Sequence, residues 1–559
     1  MAFPVKTGGL TADAVTMLLA LGMVLKDDVM RSKGLRVTLT IMFFSLTAAA
    51  FSQTWYLDAS KGKDSNPGTS SAPWKTVAKA QSVVEPGDKI ILSNGSYDSL
   101  TPPNVIYADD PYVSLDDTDI DWIVWEAKPG HKPVFDSLYF EKSGNKYFLG
   151  YRLKGLKLTE ITAKNMVALN VENCEIVGWG NDIATAHGGL QISESSNITV
   201  KNSEIHFIKE NGVSISGSAY VTIENCDIYD IGSDHFTLRT EYRDCENIRI
   251  VGNIIRDTMQ WNLSAHPDGI QFYASSGNDF KNCLIAGNKI YNMAVQGIFT
   301  SGIDGRFLDG VIENNLIYNC GNSSLNMANT NNLIFRNNTV FGYSAFSSSS
   351  TNLSVYNNIF YGSYILRDPH GPKYNDYNIY SQDYTDWLDG TEPHSYMYPK
   401  SQLSAMLSQL FTNAAANDYS LRYNCLAVDF CPLTPAGASN DMLGKTRSRY
   451  PDAGCYEYNG SIPSGNDGEL PAEDNQDSID AKTQRQIDKI NQLINRMENR
   501  YQTIVDKLNS KIDSIAGSSM PDDRKTKLIE RMESRIQRFE NSYNAKIEKL
   551  EDKLSDVTP

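Results

Sequence analysis

Between residues 170 and 380 the chain repeats a short phrase, in which an Asn-rich pair is followed two residues later by an apolar anchor. The step between successive anchors averages about 25 residues, which is the length of one coil of a parallel β-solenoid. The nine anchors are Ile176, Ile205, Ile228, Ile255, Ile290, Ile317, Val340, Phe360 and Tyr380. The pattern therefore predicts a long β-helix in which equivalent anchors stack on one another.

Each coil carries a second short strand that begins near a glycine or histidine, as in Gly189–Ile192 and Gly269–Phe272. Successive side chains of a strand point to opposite faces, so the apolar residues are expected to point into the coil. The alternate residues then form an outward ladder of Gln191, Ser214, Thr237, Gln271 and Phe299. This outward ladder is the surface on which the sequence predicts chemistry.

The abundance of Asn has a physical reason. A coil turns sharply between strands, Asn tolerates the left-handed backbone conformation there, and stacked Asn side chains can hydrogen-bond along the solenoid. A helical interpretation fails, because short β-branched runs such as Val221–Ile223 alternate with Gly and Asn and show no 3.6-residue period.

The N-terminus has the pattern of an export signal. A basic region before Val37, an apolar stretch to Ala49 and a small-x-small site ending at Ser52 follow one another, with Met30 as the start. We therefore interpret 1–29 as an over-extended gene start and 30–52 as a signal peptide, so the protein is expected to be secreted. A membrane anchor is disfavoured, because the apolar stretch is shorter than the ~20 residues that span a bilayer.

Three further segments follow from composition and periodicity. An amphipathic helix is predicted near Trp74–Val84, where it would cap the open end of a solenoid domain spanning 53–458. Residues 459–480 are rich in Gly, Ser, Pro and acidic residues, which is typical of a flexible linker. Residues 481–559 show apolar positions at steps of three and four, which predicts an α-helical hairpin or a coiled coil. Self-association through these helices and zipping within one chain both remain open.

The charge and cysteine content narrow the function classes. A net charge of −16 disfavours nucleic acid and anionic membranes as partners. Three cysteines, Cys174, Cys226 and Cys283, occupy the repeated phrase and are expected to be buried thiols. Another group, Cys425, Cys431 and Cys455, lies near the end of the solenoid domain. One disulfide could form within this group, and the sequence does not decide which two cysteines would pair.

Two end segments carry a family resemblance. The run 66–69, followed by Pro73–Thr76 and Pro86–Asp88, resembles the N-terminus of the secreted right-handed parallel β-helix proteins of the pectate-lyase superfamily. The segments 441–447 and 451–458 are similar to the closing segment of those proteins. The resemblance implies an all-β, right-handed parallel β-helix, and it is less specific for activity than for fold.

Titratable residues converge on one level of the outward ladder. When the second strands are aligned on their first residues, Asp234 and Asp268 take equivalent places on neighbouring coils, about 5 Å apart. Two carboxylates at that separation either share a cation or have divergent pKa values. The neighbouring candidates are Lys209, Glu210, His235, Arg239 and His266. Each residue alone is typical of turns or solvated surfaces, but their convergence predicts an active site.

The coil beside these residues is the longest, with 35 residues between Ile255 and Ile290, and we expect it to form the wall of a groove. Candidate sugar-stacking and binding residues lie nearby: Trp261, Tyr242, Tyr273, Phe299 and Gln271. An extended groove fits a polymer, so the expected partner is a polysaccharide.

The superfamily resemblance suggests how such a site would work. Polysaccharide lyases of this kind commonly hold calcium on stacked acidic residues and use a Lys, Arg or His to abstract the proton α to a uronic carboxylate. By resemblance the calcium ligands would be Asp234, Asp268 and Glu210. The base would be His266, His235 or Lys209, and Arg239 would bind the substrate carboxylate. The sequence therefore favours a lyase that cleaves a uronic-acid polysaccharide by β-elimination.

Three alternatives remain open. A glycoside hydrolase would use the two aspartates as acid and as nucleophile or base. A C5 epimerase shares the proton abstraction. A non-catalytic carbohydrate-binding or adhesive β-helix would leave the histidines and aspartates without catalytic roles.

Overall fold

The computed structural model describes most of the predicted solenoid domain. The described residues are 52–100, 106–107, 112, 114–115, 120–141, 146–147, 150–178, 188–259, 266–275, 277–302, 305–347, 349–367, 372–381, 392–398, 402–432, 437–458, 512 and 526. The predicted segments 1–29 and 459–480 lie outside them, as do 30–52 and 481–559 except at positions 52, 512 and 526. The chain divides into two compact units, Met1–Ser461 and Ile462–Pro559.

Three long sheets wind around one apolar core, and their paired strands run parallel. Among the described residues, sheet 1 has 17 strands, sheet 2 has 13 and sheet 3 has 10. The strands of sheet 1 are Thr54–Leu57, Lys89–Leu92, Ile123–Ala127, Tyr151–Lys154, Leu169–Glu172, Ser196–Lys201, Ala219–Glu224, Cys245–Glu246, Arg249–Val251, Phe280–Lys281, Leu284–Ala286, Phe307–Leu308, Val311–Glu313, Thr330–Asn331, Ile334–Arg336, Ser354–Tyr356 and Tyr374–Asp376.

Sheets 2 and 3 complete each coil. The strands of sheet 2 are Gly95–Tyr97, Pro133–Phe135, Lys157–Leu158, Glu175–Val177, Glu204–Ile208, Asp227–Ile231, Ile254–Thr258, Lys289–Met293, Leu316–Cys320, Thr339–Phe341, Ile359–Tyr361, Ile379–Tyr380 and Tyr396–Met397. The strands of sheet 3 are Leu138–Glu141, Glu160–Lys164, Gly189–Ser193, Val213–Ser216, Phe236–Arg239, Ile270–Ala274, Gln296–Gly302, Ser323–Met327, Ser344–Phe346 and Tyr364–Leu366. This architecture confirms the predicted parallel β-helix.

The anchors stack in the predicted register along sheet 2. Ile176 pairs with Ile205, and the pairing continues anchor by anchor to Phe360 with Tyr380. The nine anchor side chains are at most 3% exposed. Because a one-residue slip would turn each anchor to the solvent, burial of this apolar row fixes the register.

The Asn-rich pair has two separate roles, one for each position. The first residue turns the chain in the left-handed conformation, as at Asn225 (φ 53°) and Asn314 (φ 57°). The second residue is buried and its side-chain oxygen accepts a backbone N–H from the preceding coil: Asn288 Oδ1 accepts from Asn253 N at 2.9 Å, and Asn315 Oδ1 from Asn288 N at 3.0 Å. The predicted Asn ladder is therefore present and satisfies amides that no strand can pair.

A helix caps the N-terminal end of the solenoid, and a closing segment packs along its side. The N-terminal helix, α1, spans Val77–Gln81 and is capped by the Thr76 side chain, which accepts from the Lys79 amide. It is shorter than the predicted helix, because turn hydrogen bonds at Ser82 and Val83 end it before Pro86. After the last coils the chain forms helix α2 (Leu403–Leu410), a 3-10 turn (Ala414–Ala416) and the antiparallel strands Phe411–Asn413 and Asp418–Leu421, and this segment packs on the outer face of sheet 2, where Phe411 and Tyr419 contact Phe341. A short antiparallel pair, Ile106–Tyr107 with Lys146–Tyr147, lies beside the early coils.

All eight cysteines are free thiols, so the disulfide considered for the closing segment is not formed. The three cysteines of the repeated phrase are buried, as predicted, and burial raises the pKa of Cys174 and of Cys226 to about 12. Among the described residues, no helix combines the length and the apolar character needed to cross a membrane.

Asn288→Ala should lower the free energy of unfolding by roughly 2–4 kcal/mol, because it leaves the buried Asn253 amide and the Ile250 carbonyl without their partners. Urea unfolding followed by circular dichroism measures the loss. Asn282→Gly, at an exposed left-handed position of the same coil (φ 53°), is the control and should cost under about 1 kcal/mol. Equal losses in the two variants would contradict a stabilising ladder.

Candidate active site

The start of the sheet 3 strands brings two carboxyl groups together as the sequence predicts. Phe236 pairs with Ile270 and Ile270 with Ile298, so Asp234, Asp268 and Gln296 lie on successive coils at one level. The Asp268 amide donates to Asp234 Oδ1 at 2.9 Å, and the Gln296 amide donates to Asp268 Oδ1 at 3.0 Å. One oxygen of each aspartate thus ties neighbouring coils together.

The second carboxylate oxygens have different partners. Thr237 Oγ1 donates to Asp234 Oδ2 at 2.6 Å, which keeps Asp234 within the turn. Asp268 Oδ2 lies 3.1 Å from His266 Nδ1. The Asp268 side chain is fully buried, whereas that of His266 is 52% exposed. His266 is therefore the accessible end of a buried carboxyl–imidazole pair.

Two further residues hold the other side of the imidazole. Gln296 Nε2 lies 3.5 Å from His266 Nε2, and Ser323 Oγ donates to Gln296 Oε1 at 3.1 Å. Because Ser323 occupies the Gln296 oxygen, the amide NH₂ group is the part that faces His266. The Phe299 ring lies 5.9 Å from the imidazole. A continuous polar network from Thr237 to Ser323 therefore fixes the orientation of His266.

Burial and the neighbouring carboxylate decide the protonation of the pair. Burial, and then the charge of Asp234, raise the pKa of Asp268 to about 8. Burial also raises the pKa of Asp234. Asp268 therefore retains its proton in neutral solution and ionises under mildly alkaline conditions, where its Oδ2 can accept a hydrogen bond from His266 Nδ1.

His235 does not belong to the accessible site, contrary to the sequence-based prediction. Its side chain is fully buried, and its Nε2 donates to the Arg256 carbonyl at 2.8 Å. Burial lowers its pKa to about 4, so the imidazole is neutral under ordinary conditions. The bond to the Arg256 carbonyl holds the imidazole inside the protein, so His235 cannot touch a substrate.

The outward ladder has the predicted register, but one of its residues, Thr237, is not accessible to solvent. Thr237 pairs with Gln271, which pairs with Phe299, yet Thr237 is fully buried because it bonds Asp234. Gln271 and Phe299 are partly exposed. Beside them on the same face, exposed Arg239 pairs in register with partly exposed Tyr273. We call the surface formed by these four residues and His266 the sheet 3 groove.

The remaining predicted site residues lie around this groove. Lys209 is half-buried and Glu210 is exposed, both in the turn one coil before Asp234, where the Glu210 carbonyl accepts from Ser233 N. Tyr242 is 61% exposed on the turn that follows the Arg239 strand. Trp261, the predicted stacking residue of the long coil, lies outside the described residues.

The acidic residues do not form the predicted calcium site in this arrangement. All four carboxylate oxygens of Asp234 and Asp268 already have hydrogen-bond partners. Across the described ranges, no group of three or more His, Cys, Asp or Glu residues could hold a metal ion. The donor set of the groove therefore does not fit calcium, because the ion would have to displace these hydrogen bonds.

The sequence-based reasoning missed Gln296 and Ser323 as members of the site. Gln296 stands at the same coil level as Asp268, so the strand alignment already placed it there, but an amide has no titratable proton to draw attention to it. Ser323 lies one coil further, and only the observed hydrogen bond connects it with His266.

Comparisons with known proteins support the fold. A family model described as "Pel9A-like, right handed beta helix region" matches residues 55–359, more than half of the chain. The structure of pectate lyase Pel9A is 15% identical, covers 73% of this chain and 97% of its own, and has a TM-score of 0.41. The complex of XylC with xylose is 11% identical, with coverages of 72% and 98% and a TM-score of 0.42. A rhamnogalacturonan lyase is 15% identical, with coverages of 62% and 86% and a TM-score of 0.28. No curated protein matches the chain.

Asp268→Asn should flatten the dependence of stability on pH. A carboxyl whose pKa is raised on folding binds its proton more tightly in the folded state, so its stabilising contribution is present below pH ~4 and is lost as the pH rises through about 8. Between pH 5 and 8 the wild type should lose roughly 1–3 kcal/mol more than the variant in urea unfolding.

The matched control for this pH dependence is Asp136→Asn, which changes an exposed aspartate at the edge of the early coils. It should keep the wild-type slope of stability against pH. A variant Asp268→Asn with an unaltered slope would mean that Asp268 is ionised throughout this range.

Proposed function

The chain belongs to the family of Pel9A-like right-handed β-helix proteins, and on this premise we propose that it is an exported polysaccharide lyase. Pel9A itself is a pectate lyase. The substrate class proposed here is a uronic-acid-containing polysaccharide, cleaved by β-elimination. The observation that carries the proposal is the half-exposed His266, whose Nδ1 lies 3.1 Å from the buried Asp268 carboxyl at the edge of the sheet 3 groove.

His266 is the proposed base. When Asp268 has lost its proton, its Oδ2 accepts the Nδ1 proton of the imidazole, and the lone pair is on Nε2, where only the long 3.5 Å contact with Gln296 Nε2 has to be given up. Nε2 then takes the proton on the carbon α to the uronic carboxylate. The electron pair of that C–H bond forms the new carbon–carbon double bond, the glycosidic C–O bond at the β position breaks, and the leaving oxygen takes up a proton from water.

Arg239 is the proposed partner of the substrate carboxylate. Its exposed guanidinium lies on the same face as Tyr273 and Gln271, and a guanidinium can bind a carboxylate through two parallel hydrogen bonds. Withdrawing negative charge from the carboxylate stabilises the enolate-like transition state that forms as the α proton leaves. Phe299, beside His266, offers an apolar surface to the sugar ring.

A hydrolase that uses Asp234 and Asp268 as its two carboxylates is not supported. Asp234 is 5% exposed and Asp268 is fully buried, so neither can reach a glycosidic bond as acid or nucleophile. A C5 epimerase remains the alternative that shares the proposed base, since it would return a proton to the opposite face instead of expelling the β oxygen. The product distinguishes the two reactions.

His266→Gln should lower the turnover of a polyuronate by at least ~100-fold, because glutamine cannot accept the α proton. The measurement is the ultraviolet absorbance of the unsaturated product, with substrates drawn from a panel of pectic, alginate and glycosaminoglycan polymers. An epimerase would give no such absorbance but would exchange the α proton with deuterium from D₂O. Reducing ends without absorbance would identify a hydrolase and refute the proposal.

The control variant is His394→Gln. His394 forms a similar pair with Asp376, Nδ1 to Oδ2 at 2.7 Å, with a 56% exposed imidazole, but it lies in the last coils and outside the groove. This variant should keep activity within about twofold of the wild type. Equal losses in the two histidine variants would show that His266 acts through stability and not as a base.

The pH profile tests the role of Asp268. Since Asp268 must be ionised to hold the proton of His266 on Nδ1, kcat/KM should rise as the pH passes through about 8. In Asp268→Asn the amide NH₂ group would donate to Nδ1 and place the imidazole proton on Nε2, the wrong tautomer for a base. The rate should then fall by at least ~100-fold and the rise near pH 8 should disappear. A variant that keeps this rise would exclude the Asp268–His266 pair as its source.

A further inference from the structure

A second concave surface lies on sheet 1, on a different face from the sheet 3 groove. It is a cavity of about 220 Å³. Asn170 and Thr199, adjacent in the strand register, line it from sheet 1, and Asn197 and Tyr220 line it from the second positions of the strands Ser196–Lys201 and Ala219–Glu224. Leu115 and Trp122 line it from the preceding chain segment. We call it the sheet 1 cavity.

Specific contacts hold the outer wall of this cavity against the solenoid. The Leu115 amide donates to Asn197 Oδ1 at 3.0 Å. The Arg243 guanidinium lies 3.3 Å from the centroid of the Tyr112 ring, and the Arg152 guanidinium lies 4.4 Å from that of Trp122. The wall is thus bound to three different coils, and the concave shape follows from contacts that the fold itself makes.

Asn170 provides the polar recognition group. Its carboxamide borders the cavity, and within the described part of the chain its Oδ1 is buried with no hydrogen-bond partner. Because that oxygen is buried, the NH₂ group of the carboxamide is the part that a ligand in the cavity can contact, as a donor to a hydroxyl oxygen. Thr199 adds a hydroxyl beside it. The floor of the cavity is therefore suited to a ligand that carries hydroxyl groups.

The remaining lining residues define the ligand class. The Trp122 indole and the Tyr220 phenol present aromatic surface, while Asn170 and Asn197 present amides, and none of the lining residues is charged. Flat rings beside amide and hydroxyl groups match a pyranose, which has an apolar face of C–H groups and a rim of hydroxyls. Arg152, in register with Asn170, is not a lining residue and its guanidinium stacks on the Trp122 ring, whereas Arg239 in the groove is exposed.

We propose that the sheet 1 cavity binds one neutral sugar residue, separately from the sheet 3 groove. The bound unit would be an uncharged pyranose, either free or as a branch or end of a polysaccharide. Since the cavity contains none of the groove residues, it is a binding site and not a second catalytic site. Its volume admits a single ring and not an oligosaccharide.

The experiment is a titration of the full-length protein with methyl pyranosides, followed by saturation-transfer NMR and by tryptophan fluorescence. Neutral methyl glucoside, galactoside, mannoside and xyloside are compared with methyl galacturonide. We expect at least one neutral glycoside to bind with a Kd on the order of 1 mM and the galacturonide to bind at least ~10-fold more weakly at this site. Neutral polymers that carry the same residue as a branch distinguish a polymer-borne ligand from a free sugar.

Variants locate the binding. Asn170→Ala and Trp122→Ala should each weaken binding of the neutral glycoside by at least ~10-fold, and Trp122→Phe should retain binding while removing most of the fluorescence change. Thr222→Ala, in register with Thr199 on the next coil but outside the cavity, is the control and should leave the Kd unchanged. Thermal unfolding checks that each variant is folded.

Two results would overturn the proposal. One is that none of the neutral glycosides binds at concentrations up to about 50 mM, which would mean that the cavity holds only ordered water. The other is binding that Asn170→Ala and Trp122→Ala leave intact, which would place the sugar elsewhere. Neither result depends on lyase activity, because His266→Gln should bind the neutral glycoside as the wild type does.

Discussion

The structure depends on the pairing of buried backbone amides at the turns between its coils. A strand ladder pairs the amides within each sheet, but a one-residue turn leaves an N–H inside the protein with no strand to receive it. A side chain of the neighbouring coil accepts that N–H, as Asn288 does for Asn253. An unpaired buried amide N–H costs about as much folding free energy as several apolar contacts contribute. A coil therefore needs a side-chain acceptor for this N–H at a fixed position.

The same requirement is met at the candidate active site with aspartate in place of asparagine. Asp234 and Asp268 each accept a backbone N–H of the next coil with one carboxylate oxygen. These hydrogen bonds hold the two carboxyl groups close together and inside the protein. A carboxyl group at this position can lose a proton, which the carboxamide of asparagine cannot do. Burial and the charge of Asp234 then raise the pKa of Asp268 to about 8, so the charge beside His266 changes with pH near that value.

The parallel stacking also separates the surfaces of the molecule. The stacked coils add their strands to the same three sheets, so a chemical character that recurs on one strand becomes a stripe along one face. Sheet 3 presents His266 and Arg239, and sheet 1 presents the uncharged Asn170 and Thr199. The proposed acidic polymer and the proposed neutral sugar would thus lie on different faces and would not compete for the same residues.

The sequence by itself determined the coil, its register and the level of the two aspartates. These follow from local rules: alternation decides which side chains enter the core, and the Asn-rich phrase marks one turn of each coil, so counting residues aligns Asp234 with Asp268. The tertiary structure alone decided accessibility. His235 and Thr237 lie within three residues of Asp234, yet they are buried, because one bonds the Arg256 carbonyl and the other bonds Asp234 itself. Gln296 and Ser323 join the site through contacts between coils 27 or more residues apart. Pattern along one strand specifies the face of a side chain, whereas its hydrogen-bond partners come from other coils and depend on how those coils pack.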